Sequence, residues 1–254
     1  MEKTIQVKTW GNSAGVLLPK EWLGKEVRVI LIDRTLEIKK EVFDILSPYL
    51  EDIIGIYLVG SYARGEQTDD SDIDIIAISN NTKKEIISGK YNIIIITLKS
   101  VETSLEKNSI LIAPRIIEAK PILNSSLLEK LKSKEITKKS LKFFIESTKS
   151  IISINRKTLK LDKIQGENAS LSVIYSLILR LRGILMIKCM MEKKPYSNQK
   201  FKEWVKKETG RDYENIHKAY ESIKLNKKSD VKIEISEALK LLHLLEKEIE
   251  KIKE

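Results

Sequence analysis

An α+β chain of three successive parts is the architecture that this sequence of 254 residues predicts. Three observations carry the reading. Short β-branched runs broken by Gly and Pro fill residues 1–38, strand and helix signals alternate from about 40 to 132, and helical periodicity runs almost without a break from 133 to 254. The expected organisation is a small β-hairpin module over 1–39, an α/β domain with a mixed sheet over 40–132, and an all-α bundle over 133–254.

In the first part, Thr4–Trp10 reads as a strand running into a turn at Gly11-Asn12-Ser13-Ala14-Gly15. Val16-Leu17-Leu18 follows and is stopped by Pro19. Val27–Ile32 is β-branched and apolar, and Asp33-Arg34 makes a turn into a further strand, Thr35–Ile38. A module this small buries little by itself and is expected to lean on a second copy or on the rest of the chain. In the second part a helix from about Lys40 to Asp52 precedes a strand over Ile54–Val59. A second strand covers Ile73–Ile78, Thr82 caps a helix to Ser88, and Tyr91–Thr97 is a third strand. A helix near Ser100–Lys107 and a further helical stretch lead to a short strand at Pro121-Ile122-Leu123. About five helices make up the third part, with breaks at Gln165-Gly166, Lys194-Pro195, Thr209-Gly210 and Asn226–Asp230. The last, from about Val231, places Ile235, Leu239, Leu242, Leu245, Ile249 and Ile252 on one stripe.

With 42% hydrophobic and 32% charged residues the composition is that of a soluble globular protein. A single cysteine, Cys189, excludes an internal disulfide and a cysteine-rich zinc site. The start MEKTIQVKTW lacks the apolar run of a signal peptide and no stretch is long enough to span a bilayer, so a cytoplasmic protein is expected. The net charge of +10 is uneven: from Lys130 onward 30 Lys/Arg face 17 Asp/Glu, while the remainder is slightly acidic. Such an excess attracts RNA, DNA or a polyphosphate, and Lys-rich solvated helix faces produce the same total.

The segment most informative about chemistry is Ile56–Asp74, which reads Ile-Tyr-Leu-Val-Gly-Ser-Tyr-Ala-Arg-Gly-Glu-Gln-Thr-Asp-Asp-Ser-Asp-Ile-Asp. A buried strand ends at Gly60-Ser61 and a helix begins there, so backbone N–H groups and the Ser61 hydroxyl form a cradle for phosphate oxygens. Asp72 and Asp74, two apart on the next strand, project to one face. Adjacent carboxylates repel unless a cation lies between them, and hard oxygen ligands of this kind suit Mg²⁺ or Mn²⁺ bridging to phosphates.

On Gly60-Ser61, Ala63-Arg64-Gly65 and Ser71-Asp72-Ile73-Asp74 the chain resembles the DNA polymerase β-like nucleotidyltransferases, closest to their minimal, MNT-type branch, over roughly 40–130. The resemblance implies that Gly60 and Ser61 hold nucleotide phosphates, that Asp72 and Asp74 are catalytic metal ligands, and that Arg64 contacts the nucleotide or supports the turn. The family's third carboxylate, which completes the metal site and takes a proton, falls on the strand Tyr91–Thr97. There Asn92 and Ile94 are the equivalents and neither is acidic; either a glutamate from elsewhere, such as Glu118, stands in, or the site binds nucleotide without turning it over efficiently.

Residues 3–40, through Trp10-Gly11-Asn12-Ser13 and Leu18-Pro19, resemble the AbrB/MazE swapped-hairpin family. That resemblance implies a homodimer and DNA contacts, for which Lys8, Lys20, Lys25 and Arg28 are the candidates, although 1–38 holds six basic and five acidic residues. In the helical part Arg180 and Arg182 interrupt an apolar face and call for an anionic partner: an internal carboxylate, a triphosphate or RNA. Phe201, Trp204, Tyr213 and Tyr220 recur at helical spacing, as core residues or as base-stacking ones. Arg211 and His217 have the spacing of HEPN ribonucleases, and His243 reads as a packing or boundary residue.

The expected function is Mg²⁺- or Mn²⁺-dependent transfer of a nucleoside monophosphate, AMP from ATP, to a hydroxyl of a protein, an RNA or a small molecule. The rival expectations are a DNA-binding, antitoxin-like regulator with a weak or inactive nucleotidyltransferase fold, and an RNA-cleaving helical domain.

Overall fold

The computed structural model describes residues 5, 7–11, 13–28, 35–210, 213–224, 226, 228 and 230–253. The chain divides into two compact units, Met1–Val42 and Phe43–Glu254.

In the first unit, strands β1 (Lys8–Trp10) and β2 (Ser13–Gly15) pair antiparallel, with Trp10 opposite Ser13. The hairpin is tighter than expected. Ser13–Gly15, read as turn, is strand, and Val16–Leu18, read as strand, lies beyond it. The expected turn at Asp33-Arg34 and most of the strand at Val27–Ile32 lie outside the described residues. Thr35–Ile38 is helical rather than extended: helix α1 covers Thr35–Leu46. The reason is spacing, because Ile38, Val42 and Leu46 recur every four residues and are all buried, which outweighs the β preference of Thr35 and Ile38. A 3₁₀ turn at Ser47–Tyr49, carrying Pro48, ends the helix.

The second unit is built on a five-stranded mixed sheet of order β5-β6-β4-β3-β7. Strands β3 (Ile53–Val59) and β4 (Ile73–Ser79) are nearly continuous apolar runs, and each is buried on both faces, as central strands must be. Between them lies the short helix α2 (Gly60–Arg64). Strand β5 (Lys84–Ser88) is an exposed edge and corrects the helix expected after Thr82. Its partner β6 (Tyr91–Thr97) lies antiparallel to it, with Ser88 opposite Tyr91. The two-residue connection begins at Gly89, whose φ of +55° is the hairpin signal the sequence reading overlooked. The Thr82 and Asn81 amides, free to start a helix on the sequence reading, instead donate to the Asp52 carboxylate. Pairing of β4 with β6 is the sheet's parallel element, and helices α3 (Leu98–Lys107), α4 (Ala113–Glu118) and α5 (Ser125–Lys132) flank the return strand β7 (Lys120–Leu123).

Among the described residues five helices complete the unit, as the periodicity predicts: α6 (Lys138–Ile164), α7 (Leu171–Met191), α8 (Asn198–Thr209), α9 (Tyr213–Lys224) and α10 (Ile235–Lys253). One continuous apolar core runs from Tyr57, Val59 and Ile76 of the sheet through α3–α5 into all five. Phe201, Tyr213 and Tyr220 are buried in it, and Trp204 packs against it half-buried. On α10 the stripe differs from the expected one: Leu239 is exposed, while Ala238, Leu241 and Leu244 join Leu242, Leu245, Ile249 and Ile252 inside. His243 is exposed rather than a packing residue. No helix of the described residues is long and apolar enough to cross a membrane.

Candidate active site

Strand β3 delivers the chain to Gly60, whose φ is +72°. Only glycine takes that conformation without strain, and here space forbids a side chain as well: a Cβ at Gly60 would lie 2.4 Å from Asp74 Oδ2. The register of the sheet explains the proximity. Asp74 is opposite Val59 on one side and beside Asn92 on the other, so three neighbouring strands place Gly60, Asp74 and Asn92 in a row.

These residues line a small cleft together with Ile94, Arg115 and Glu118. Ser61 follows Gly60 directly in α2, Arg64 joins through Glu118, and Asp72 stands exposed one residue before β4. Burial pushes the Asp74 carboxyl above its usual range; the Arg115 charge pulls it back, and the nearby Asp72 charge raises it again. A part-buried carboxylate beside a second carboxylate is an environment that a cation relieves. The Asn92 amide donates weakly to Asp74 Oδ1, at 3.4 Å, while its Oδ1 is buried without a hydrogen-bond partner. Two carboxylates and an unengaged amide oxygen are hard donors whose chemistry fits a divalent cation of the Mg²⁺ type, with phosphates and water completing the shell. Among the described residues there is no group of three or more His, Cys, Asp or Glu side chains able to hold a metal.

Glu118 is in the cleft, but both of its oxygens are engaged. Oε1 accepts from the Gly60 amide at 2.7 Å and Oε2 from Arg64 at 2.7 Å. Burial raises the Glu118 pKa, and Arg64 partly offsets this. Arg64, in turn, has its charge opposed by burial and favoured more strongly by Glu118 and Glu66, which together raise its pKa. Its second bond, from Nε to Glu66 Oε2, is 3.0 Å long. The Gly60 amide is therefore already committed, and the next backbone and hydroxyl donors of the turn are those of Ser61.

Sequence reasoning missed Arg115. It sits one helical turn before Glu118 on α4, lines the cleft, and has no hydrogen bond or ion pair among the described residues. The i, i+3 spacing of Arg115 and Glu118 was the available signal. It missed the buttress from the helical part as well. The Asn198 amide and side chain donate to Glu66, and the Arg64 and Arg182 guanidinium groups lie 5.9 and 5.6 Å from the centre of the Tyr196 ring. Among the described residues, the two arginines of α7 have neutral partners rather than the internal carboxylate that was one of the expected alternatives. Arg182 donates to the Tyr196 and Tyr220 hydroxyls at 3.3 and 2.5 Å, and Arg180 to the Ser147 and Thr148 hydroxyls. Lys20, Lys25 and Arg28 are exposed, and the Lys8 side chain lies outside what is described. So does Arg211, while His217 is half-buried on α9.

A mixed sheet that sets a glycine–serine turn against an Asp-x-Asp strand defines a phosphate-handling transferase of the nucleotidyl type. The comparison with known families agrees: the model described as "Nucleotidyltransferase domain" matches residues 37–174, more than half of the chain, so the chain belongs to that family and is a nucleotidyltransferase. A second model, DUF2080, described for transposon-encoded proteins, matches residues 4–35. No curated protein matches the chain. Among solved structures it is similar to a nucleotidyltransferase-like protein from Exiguobacterium sibiricum, at 13% identity and TM-score 0.38, covering 84% of this chain and 75% of that one. It is also similar to the spectinomycin adenyltransferase AAD(9) from Enterococcus faecialis, solved with ATP and spectinomycin, at 15% identity and TM-score 0.47, covering 85% and 99%.

Proposed function

We propose that this chain transfers a nucleoside monophosphate, AMP from ATP, to an acceptor hydroxyl and releases pyrophosphate, with Mg²⁺ or Mn²⁺ required. The observation that carries the reading is the packing of the Asp74 carboxylate against Gly60 in a cleft that also holds the unpartnered Asn92 oxygen. In this reading the Ser61 amide and hydroxyl hold phosphate oxygens, and Gly60 lets them approach the backbone. Asp72, Asp74 and Asn92 Oδ1 would hold the cation, which when bound would supply charge neutralisation for the triphosphate; the acceptor oxygen attacks the α-phosphorus and pyrophosphate leaves. Arg64 fixes the turn through Glu118 and Glu66, and Arg115 faces the anionic substrate from α4. With Asn92 in place of a carboxylate and Glu118 doubly engaged, the acceptor's proton passes to water rather than to a side-chain base.

The test is incubation with each labelled NTP, either cation and a lysate as acceptor source, beside Asp72→Asn/Asp74→Asn. Label transferred by the unaltered chain alone supports the proposal; equal labelling, or none with every NTP, sinks it.

One further reading has its own support in the first unit. Leu17, Leu23 and Val27 are exposed there beside Lys20, Lys25 and Arg28. Unburied apolar residues in so small a module favour a homodimer formed through it, with the cations facing DNA, as in an antitoxin-like regulator. Tight, salt-dependent binding to its own upstream DNA with no transfer of label is the result that would favour it.

A further inference from the structure

Helix α6 carries large apolar side chains on its outward side. Phe143, Ile154 and Leu161 are 64, 56 and 58% exposed, and Ile164 is 81% exposed. At 100° per residue Phe143, Ile154 and Leu161 fall within about 20° of one another, a single stripe about 27 Å long. On the neighbouring helix α7, Leu179 is 45% exposed and is flanked in sequence by Ser176 and Arg180, which hydrogen-bond α6. Isolated exposed leucines are ordinary, but three large apolar residues aligned on one helix, with a fourth exposed on the helix packed against it, are not.

Lysines line one edge of the stripe. Lys139, Lys142, Lys157 and Lys160 lie along it on the helical wheel, against one acid, Glu146, which pairs with Lys142 at 3.8 Å. Lys139, Lys157 and Lys160 have no ion-pair partner among the described residues. A second copy of this chain is a poor occupant, because antiparallel packing of two α6 helices would set these lysine edges against each other, in a half of the chain that is already strongly basic. Nucleic acid is a poorer one, since base stacking along a strand needs successive rings and Phe143 stands here among aliphatic side chains.

We propose that the outward face of α6 and α7 docks an amphipathic helix of another protein, its apolar side laid on Phe143, Ile154, Leu161 and Leu179 and its acidic edge on the lysines. This is the helix-in-groove mode, with charge fixing orientation and excluding wrong partners. The surface is separate from the cleft at Asp74, and its occupancy is independent of nucleotide transfer.

The experiment uses the full chain and two fluorescent helical peptides of about 18 residues. Both carry apolar residues at i, i+4 and i+7; one has glutamates along its edge and the other lysines. Anisotropy titration is expected to show micromolar binding of the glutamate peptide and binding at least about tenfold weaker for the lysine peptide. Ile154→Ser/Leu161→Ser should weaken the glutamate peptide about tenfold. Lys157→Glu/Lys160→Glu should reverse the preference. The substituted side chains are exposed, so an unchanged urea midpoint confirms that each variant is folded. Equal affinity for both peptides, or indifference to either double substitution, overturns the proposal. So does a dimer in sedimentation that Ile154→Ser/Leu161→Ser dissociates, or single-stranded RNA that displaces the glutamate peptide and binds that same variant undiminished.

Discussion

Gly60 and Gly65 flank one short helix with nearly the same backbone, φ +72° and +71°, but differ in what a side chain would meet. At Gly65 nothing lies within 4 Å of the added carbon; at Gly60 the nearest atom is Asp74 Oδ2 at 2.4 Å, with Asp74 Cβ and Cγ at 3.2 Å. Alanine at either site has to hold a left-handed conformation, which costs roughly 1–2 kcal/mol, partly offset by the stiffer unfolded chain. Both Gly60→Ala and Gly65→Ala should therefore lose about 1 kcal/mol in urea unfolding. Only at Gly60 must a carboxylate move as well. Ordinary contact begins near 3.4 Å, so the Asp74 oxygen is displaced by about 1 Å. A displacement of that size at a reacting centre lowers rates by about a hundredfold. Single-turnover transfer of labelled NMP, measured beside the two unfolding curves, separates the effects: Gly65→Ala should keep nearly full transfer and Gly60→Ala should lose about two orders of magnitude. If Gly60→Ala transfers within a few-fold of Gly65→Ala, Asp74 is not the group that the cleft exists to position.

Three further outcomes are expected. Asn92→Asp adds a third carboxylate to the row, so calorimetric Mn²⁺ affinity in the presence of a non-hydrolysable NTP should rise about tenfold, while the metal-free protein unfolds at lower urea. Glu118→Ala leaves Arg64, whose side chain is 13% exposed, without its main partner, and should cost about 3 kcal/mol in unfolding. Combining it with Arg64→Ala should cost clearly less than the two losses added together, as measured in a double-mutant cycle. His217 has its pKa held below the ordinary 6.5, first by burial and then by the Lys202 and Arg182 charges, against the opposing pull of Glu221. Its unfolded form thus takes up a proton more readily, so its contribution is complete above about pH 6.5 and is lost as the pH falls below that. Urea midpoints at about pH 7.5 and about pH 5.5 should differ less in His217→Gln than in the unaltered chain; an unchanged difference refutes the assignment.

Local chemistry was enough to recognise much of this protein. The apolar runs of β3, β4 and β6, the Gly60-Ser61 turn and the Asp-x-Asp pair are each written within a few consecutive residues, and so are the five helices after residue 133. Short-range signals were misread where two patterns overlapped. Ile38 belongs to a helical repeat with Val42 and Leu46 as well as to a β-branched run, and Lys84–Ser88 became a strand because Gly89 folds it back onto β6. Other features depend on register and on packing between distant segments. Strand pairing alone sets Asn92 beside Asp74, 18 residues away, and the sheet's return strand brings Glu118 to the Gly60 amide, 58 residues away. Closure of the helical part onto the turn sets Asn198 against Glu66, 132 residues apart, and gives Arg182 two tyrosine hydroxyls where a carboxylate was expected. The difference is physical: conformational preference acts over one or two turns of chain, whereas the charge state and partners of a side chain are set by neighbours that only the assembled core brings within hydrogen-bonding distance.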